Sequence, residues 1–483
     1  MHNVVEAEMV IKGGVVIDGG GTQEFLADVA ISGGRIVAVG DLAAAQCEHV
    51  VNARGMVVAP GFIDVHSHDD YACIAEPDLV PKISQGVTTV VVGNCGLSLA
   101  PLTFARDPIE PFNILGPREA YRFRRFSDYA AAVEAAQPRV NVAALAGHAA
   151  LRVAAMANRE RTANSAEVET MRADLAEALH CGVIGMSSGL YYAPARAAAA
   201  AELVPLVRDV AAVGGVYATH IRDEYDGVAE ALREAFETAS QAGAELVISH
   251  HKCAGVKNWG RSRETLAMID AARAHQAVCL DCYPYTAGSS VIDPRLADSQ
   301  IEILINWSAR HPEYGGRMLK DIAQDMGCDQ RAAAERLMPG GASYFQIHEE
   351  DMRRILSHPA CMIGTDGLPV DPRPHPRLWG TFPRVLGRYV RELKLLSLAA
   401  AVHKMTGLAA DRFGLSDRGR VAVGRAADLV VFDPDRVCDR ATFSEPRQAA
   451  DGVSCVIVNG EIAWRDGAVS GARRGRFLRR GAA

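Results

Sequence analysis

Long apolar runs are absent from this 483-residue chain, and none approaches the roughly 20 residues that cross a bilayer as a helix. A basic N-terminal region is also missing. The chain begins MHNVVEAEMVIKGG, with acidic residues where a secretory leader would carry positive charge. Positive charge is in deficit throughout: 51 Lys and Arg stand against 58 Asp and Glu, a net charge of −7 with a pI near 6.1. That balance leaves no electrostatic footprint for nucleic acid or for an anionic membrane surface. The one basic cluster, Arg473, Arg474, Arg476, Arg479 and Arg480, reads as a solvated C-terminal end. The eleven cysteines, an odd number, follow no repeating spacing, which argues against a disulfide framework and for a reducing cytoplasm. Low-complexity sequence is confined to the alanine run from Ala195 to Ala201, interrupted by Arg196 and read as the start of a helix.

What is present suits a soluble, folded protein, with 49% apolar and 23% charged residues. The length calls for one large domain plus a smaller one. Residues 1–60 are short alternating runs broken by Gly-Gly pairs, and the same texture returns in RVAVGRAADLVVFD and GVSCVIVNGEIAW. Two such ends predict a small β-sandwich built from residues 1–60 and 415–483. Between them, in 61–414, apolar runs alternate with helical stretches, the pattern of βα units around a parallel sheet. Eight runs qualify as strands, at 62–66, 88–93, 141–146, 182–187, 215–219, 246–249, 278–282 and 361–365. Eight strands close a (β/α)8 TIM-type barrel. Helices are predicted at 165–180 and 227–242, where apolar positions recur at three and four. The stretch 289–360 is too long for one βα unit. It reads as an insertion between strands seven and eight, covering the active site, with helix-like segments at 299–310 and 328–338.

Chemistry in such barrels sits at the C-terminal strand ends. Strand one runs from GFID into His66 and His68, which as i and i+2 point to one side and can share a metal ion. Strand two ends in Gly93-Asn94-Cys95-Gly96, strand five in His220, strand six in His250 and strand eight in Asp366. Six ligand-type residues thus gather at five strand ends.

On these residues, and on PKISQGVTTVVVGNCGLSLAP, GGVYATHIRDE, VISHHK, YPYTAGSS, IGTDGLP and HPRLWGTFPRVLG, the chain resembles the amidohydrolase superfamily, and within it the N-acyl-D-amino-acid deacylases, or D-aminoacylases. The bridging lysine that many superfamily members carry on strand four has no counterpart in Gly185-Met186-Ser187-Ser188-Gly189. The resemblance implies that Cys95, His220 and His250 form a tight Zn²⁺ site. His66, His68 and Asp366 would form a weaker second site. Thiolate with two imidazoles suits Zn²⁺ and leaves a position for water. Asp366 is the candidate general base. Arg377, Lys252, Ser289, Tyr192 and Tyr283 would hold the carboxylate of a small-molecule N-acyl-D-amino acid.

Side-chain preference is expected from the segment after Ser290. Val291 and Ile292 favour neutral, hydrophobic D-side chains, whereas Arg295 could pair with the acidic side chain of D-glutamate. A cyclic-amide hydrolase of the hydantoinase or dihydroorotase type could use the same ligands, but the missing strand-four lysine argues against it. A non-catalytic scaffold on the same fold would be expected to have lost ligands.

Overall fold

The structure, a computed structural model, describes residues 5–297 and 300–481. Eight strands form one parallel sheet in chain order: Phe62–Asp64, Val87–Val92, Asn141–Gly147, Gly185–Gly189, Val216–His220, Glu245–Ile248, Val278–Cys282 and Cys361–Ile363. Most are buried along their whole length, which is why they read as continuous apolar runs rather than alternating ones. Each predicted strand overlaps an observed one, the fourth displaced toward its C-terminal end. The seventh carries Cys279 and Cys282 three residues apart, and both are free thiols.

The barrel closes between its shortest strands, the first and the eighth. They meet just past their ends, through a parallel bridge from Ser67 to Gly367 and an Asp366 N–H to His66 carbonyl bond of 2.7 Å. Side chains seal the rest of the seam. Asp64 accepts from Thr365 N–H at 2.8 Å, Thr365 Oγ1 at 2.7 Å and the Lys82 ammonium at 2.7 Å. Lys82 is fully buried, with Asp69 Oδ2 3.1 Å from Nζ, so the two carboxylates neutralise a cation that burial alone would penalise.

The helices Ser165–His180 and Val228–Ala242 fall where the apolar spacing predicts them, the first opened by an Asn164–Glu167 capping box. The alanine run does not start a helix at Ala195. The helix there is Ala200–Ala212, and the turns before it are tied to other elements by arginines: Arg152 Nε donates to Pro194 O at 2.8 Å and Arg222 Nη2 donates to Ala198 O at 2.8 Å.

Both chain ends build one nine-stranded sheet. It joins where Val57–Pro60 pairs antiparallel with Leu429–Phe432, over a core that includes Ile11, Ile31, Val58, Leu429 and Ile457. The basic C-terminal segment is not a free end. Phe477 is buried and bridges to Val142 at the start of the third barrel strand, and Arg479 pairs with Glu134. Between strands seven and eight stands a four-stranded sheet with its own apolar core. Its helices include Gln330–Leu337, as predicted for 328–338. The segment 299–310, of which residue 299 lies outside the described residues, is not helical. Ile303–Ser308 is a strand paired with Gly340–Tyr344, a partner more than thirty residues away that turns its Ile303 and Ile305 into that core. Among the described residues, no helix is long and apolar enough to cross a membrane.

Candidate active site

The Gly93-Asn94-Cys95-Gly96 segment is a tight turn packed against neighbouring strands. Gly93 and Gly96 have φ of 78° and 76°, and a Cβ on Gly93 would lie 2.0 Å from Leu145 O, so no other residue fits there. Ser187 of the fourth strand, which carries no lysine, pins this turn by donating to Gly93 O and accepting from Gly96 N–H. Cys95, His250 and Asp366 also have left-handed backbones, with φ of 55°, 33° and 48°. Non-glycine residues are held so only where surrounding structure compensates, commonly at functional sites.

These turns gather the ligand-type side chains into one cluster in which the two expected sets interleave. Cys95 Sγ lies 3.2 Å from His66 Nε2 and 3.3 Å from His250 Nε2. The donor atoms of His66, Cys95, His250 and Asp366 all fall within 4.8 Å of one another, as do those of His220, Glu224 and His250. His68 joins through its Nε2, 3.2 Å from Asp366 Oδ1. Burial opposes ionisation of the Cys95 thiol, yet the facing His66 and His250 hold its pKa well below the ordinary value, the direction that favours a sulfur ligand. The donors suit a soft divalent ion, and the buried polar atoms agree with them. Both ring nitrogens of His220 and Nδ1 of His68 are buried without a hydrogen-bond partner, a cost that a cation bound by one nitrogen of His220 would reduce.

Three carboxylates organise this cluster, and sequence reasoning found only Asp366. Its Oδ2 is 2.9 Å from Nη1 of the fully buried Arg377. Burial works against its charge, but Arg377 and then His68 hold its pKa well below the usual carboxylate range. Asp281, inside the seventh strand, lies 3.4 Å from His66 Nδ1 and accepts from His250 N–H at 2.9 Å. An acid within the apolar run VCLDC was a readable signal. Glu224, four residues past His220, is 3.0 Å from His250 Nδ1 and 2.5 Å from Lys252 Nζ; nothing local in the sequence connects it to strand six.

A cavity of about 230 Å³ opens above the cluster. His68, His220, His250 and Asp366 reach its wall, together with Tyr192, Lys252, Tyr283, Ser289 and Arg295. Cys95 and His66 lie beneath, and Arg377 sits behind Tyr283, its guanidinium carbon 4.5 Å from the ring centroid and Nη2 3.2 Å from Ser289 O. The inserted sheet supplies Ser289, Val291 and Tyr344 to the wall. Arg295 is not free: Asp293 accepts from its Nε at 2.9 Å and Nη2 at 2.6 Å, and Tyr191 OH donates to the same Asp293 at 3.0 Å.

The model of the amidohydrolase family, Amidohydro_3, matches residues 49–463. The chain belongs to the amidohydrolase family. This amidohydrolase is 48% identical over 470 residues to an N-acyl-D-aspartate deacylase of Alcaligenes xylosoxydans xylosoxydans, across 97% of this chain and 94% of that protein. It is similar to a D-aminoacylase with a binuclear metal center, studied for one-metal activation and second-metal attenuation, with a TM-score of 0.96 and 48% identity over 98% of this chain and 100% of that one. An N-acyl-D-glutamate deacylase from Bordetella bronchiseptica, complexed with zinc and a phosphonate mimic of the tetrahedral intermediate, matches with a TM-score of 0.95 and 47% identity over 98% and 100% of the two chains. Identities of 47–48% to proteins named for different D-amino acids do not choose a side chain for this amidohydrolase.

Proposed function

We propose that this amidohydrolase cleaves the amide bond of N-acyl-D-amino acids, releasing a carboxylate and a free D-amino acid, and that it favours neutral, hydrophobic D-side chains. The observation that carries this reading is the placement of Asp366 between the Cys95–His66–His250 cluster and the cavity. Cys95, His220 and His250 would hold a tightly bound Zn²⁺, with His66, His68 and Asp366 available for a second. Zinc bound there would polarise an amide carbonyl and lower the pKa of a water molecule toward neutrality.

The chain's own residues do the rest. With Oδ2 paired to Arg377, Asp366 would use Oδ1, which faces His68 Nε2 at 3.2 Å, to take a proton from the attacking water and return it to the departing nitrogen. Lys252, Ser289, Tyr192 and Tyr283 face the cavity and would anchor the substrate carboxylate, with the positive charge of Arg377 behind them. Near the side-chain end, Val291, Ile292, Leu296 and Leu368 provide apolar wall. An acidic side chain seeking Arg295 would have to displace Asp293, and Glu110, another carboxylate of the same wall, would repel it. A second reading, an acidic-side-chain deacylase, draws on the presence of Arg295 in that wall.

The test is turnover of N-acetyl-D-methionine against N-acetyl-L-methionine by the zinc-loaded enzyme, followed by the N-acetyl derivatives of D-leucine, D-phenylalanine, D-glutamate and D-aspartate. The D-enantiomer and the apolar side chains should lead. Equal turnover of the enantiomers, or faster turnover of hydantoin, overturns the reaction class. A lead by D-glutamate or D-aspartate overturns the side-chain preference alone.

A further inference from the structure

We propose that Glu224 is a positioning residue: its carboxylate holds the proton of His250 on Nδ1, so that Nε2 presents a lone pair to the Cys95 cluster, and keeps the neighbouring Lys252 from reversing that arrangement. The proposal rests on the zinc-dependent reading of the site given above.

The geometry makes the assignment specific. His250 Nε2 is the nitrogen that faces Cys95 Sγ, at 3.3 Å, so it is the nitrogen that must be bare to serve as a ligand. The ring proton then resides on Nδ1, which needs an acceptor. Two groups lie within reach of Nδ1: Glu224 Oε1 at 3.0 Å and Lys252 Nζ at 2.9 Å. An ammonium has three protons and no acceptor, so Lys252 cannot receive the Nδ1 proton. Left without Glu224, Lys252 would donate to Nδ1 and drive the proton to Nε2, where it would point at Cys95 and block ligation. Glu224 Oε1 prevents this by accepting from both groups, at 3.0 Å from His250 Nδ1 and 2.5 Å from Lys252.

The backbone holds the carboxylate in place for this role. Glu224 O accepts from Ala254 N–H at 2.8 Å, tying the loop after the fifth strand to the loop after the sixth, and Asp223 caps the turn by accepting from Tyr225 N–H at 2.6 Å. The side chain is buried at the cavity wall, which leaves it little freedom to turn away from His250. Lys252 and His250 Nδ1 both sit against Oε1, the arrangement of a carboxylate that orients a ligating imidazole.

Zinc affinity, measured by competition with a chromophoric chelator on the full-length protein, tests this without substrate. Glu224→Ala should bind zinc about 10- to 100-fold more weakly. Adding Lys252→Met to that variant should recover most of the loss, because the competing donor is gone, while Lys252→Met alone should leave zinc affinity near that of the unaltered enzyme and raise KM. Glu224→Ala binding zinc as tightly as the unaltered enzyme, or no recovery in the double variant, overturns the proposal. If Glu224→Ala does not fold, Glu224→Leu, which fills the same space with no acceptor, makes the same comparison with and without Lys252→Met. Unaltered enzyme that binds zinc but lacks deacylase activity would instead overturn the functional reading, and enzyme that binds no zinc would overturn both.

Discussion

Replacing Asp366 by asparagine preserves the side chain's shape while removing its charge, which bears on one proposed role and one observed pairing, each with a magnitude of its own. The first is the proton transfer proposed for it at the cavity floor, for which a positioned acid or base contributes about 10²- to 10⁴-fold; on that proposal kcat with N-acetyl-D-methionine should fall by that factor. The second is neutralising Arg377, which is fully buried and whose Nη1 lies 2.9 Å from Asp366 Oδ2. Breaking a buried pair from one side costs about 3–5 kcal/mol, because the remaining charge stays desolvated. Asp366→Asn should therefore lose that much stability in denaturant unfolding, and the double variant Asp366→Asn/Arg377→Met should regain most of it without regaining turnover. Zinc content measured in parallel separates loss of metal from loss of the base. Turnover within tenfold of the unaltered enzyme at full zinc content would refute Asp366 as the proton carrier, and unchanged stability would refute the energetic account of its pairing with Arg377.

Three further outcomes follow from other parts of the molecule. Asp293→Asn should release Arg295 toward the cavity; because the Arg295 side chain is 56% exposed, such a pair is worth about 1 kcal/mol, so kcat/KM for N-acetyl-D-glutamate relative to N-acetyl-D-methionine should rise about fivefold, and no change would show that Arg295 does not reach substrate. Lys82→Met should strand Asp64 and Asp69 in the barrel seam and cost about 3–5 kcal/mol, read as a lowered denaturation midpoint; an unchanged midpoint would mean that the seam does not depend on that cation. Glu202 is buried against burial's own penalty on its charge; hydrogen bonding from His148 and ion pairing with Arg152 lower its pKa to about 2 from an ordinary 4.5. A lowered carboxylate pKa stabilises the fold above the unfolded value, so its contribution of about 3 kcal/mol should be present at neutral pH and decline as pH falls from 4.5 toward 2. Denaturation of the enzyme and of Glu202→Gln compared across that range should converge at the acid end, and a constant difference would contradict the linkage.

Local pattern carried far where the physics is local. Helices Ser165–His180 and Val228–Ala242 are set by spacing within their own residues, and the barrel strands by apolar runs whose two faces are both covered. Pairing between distant segments is invisible to that reading. Ile303–Ser308 has enough apolar residues for either period, and it is a strand because Gly340–Tyr344 lies beside it. Alanine has the highest helix propensity of any residue type, yet the helix starts only at Ala200, after turns that Arg152 and Arg222 tie to other elements. Phe477 brings a basic tail onto the third strand, because one buried aromatic outweighs the solvation of arginines that remain at the surface.

The site divides along the same line. Sequence alone placed His66, His68, Cys95, His220, His250 and Asp366 at strand ends, since strand ends follow from where apolar runs stop, and a parallel barrel brings all such ends to one face. The tertiary structure decided how they meet: Cys95 stands between the two expected ligand sets, Arg377 lies behind Tyr283 rather than in the open wall, and Asp293 occupies Arg295. It alone brought Glu224 and Asp281 to the imidazoles they face. Which residue carries a donor is written in the chain; which way that donor points depends on turns, left-handed backbones and partners from other strands, and these exist only once the barrel has closed.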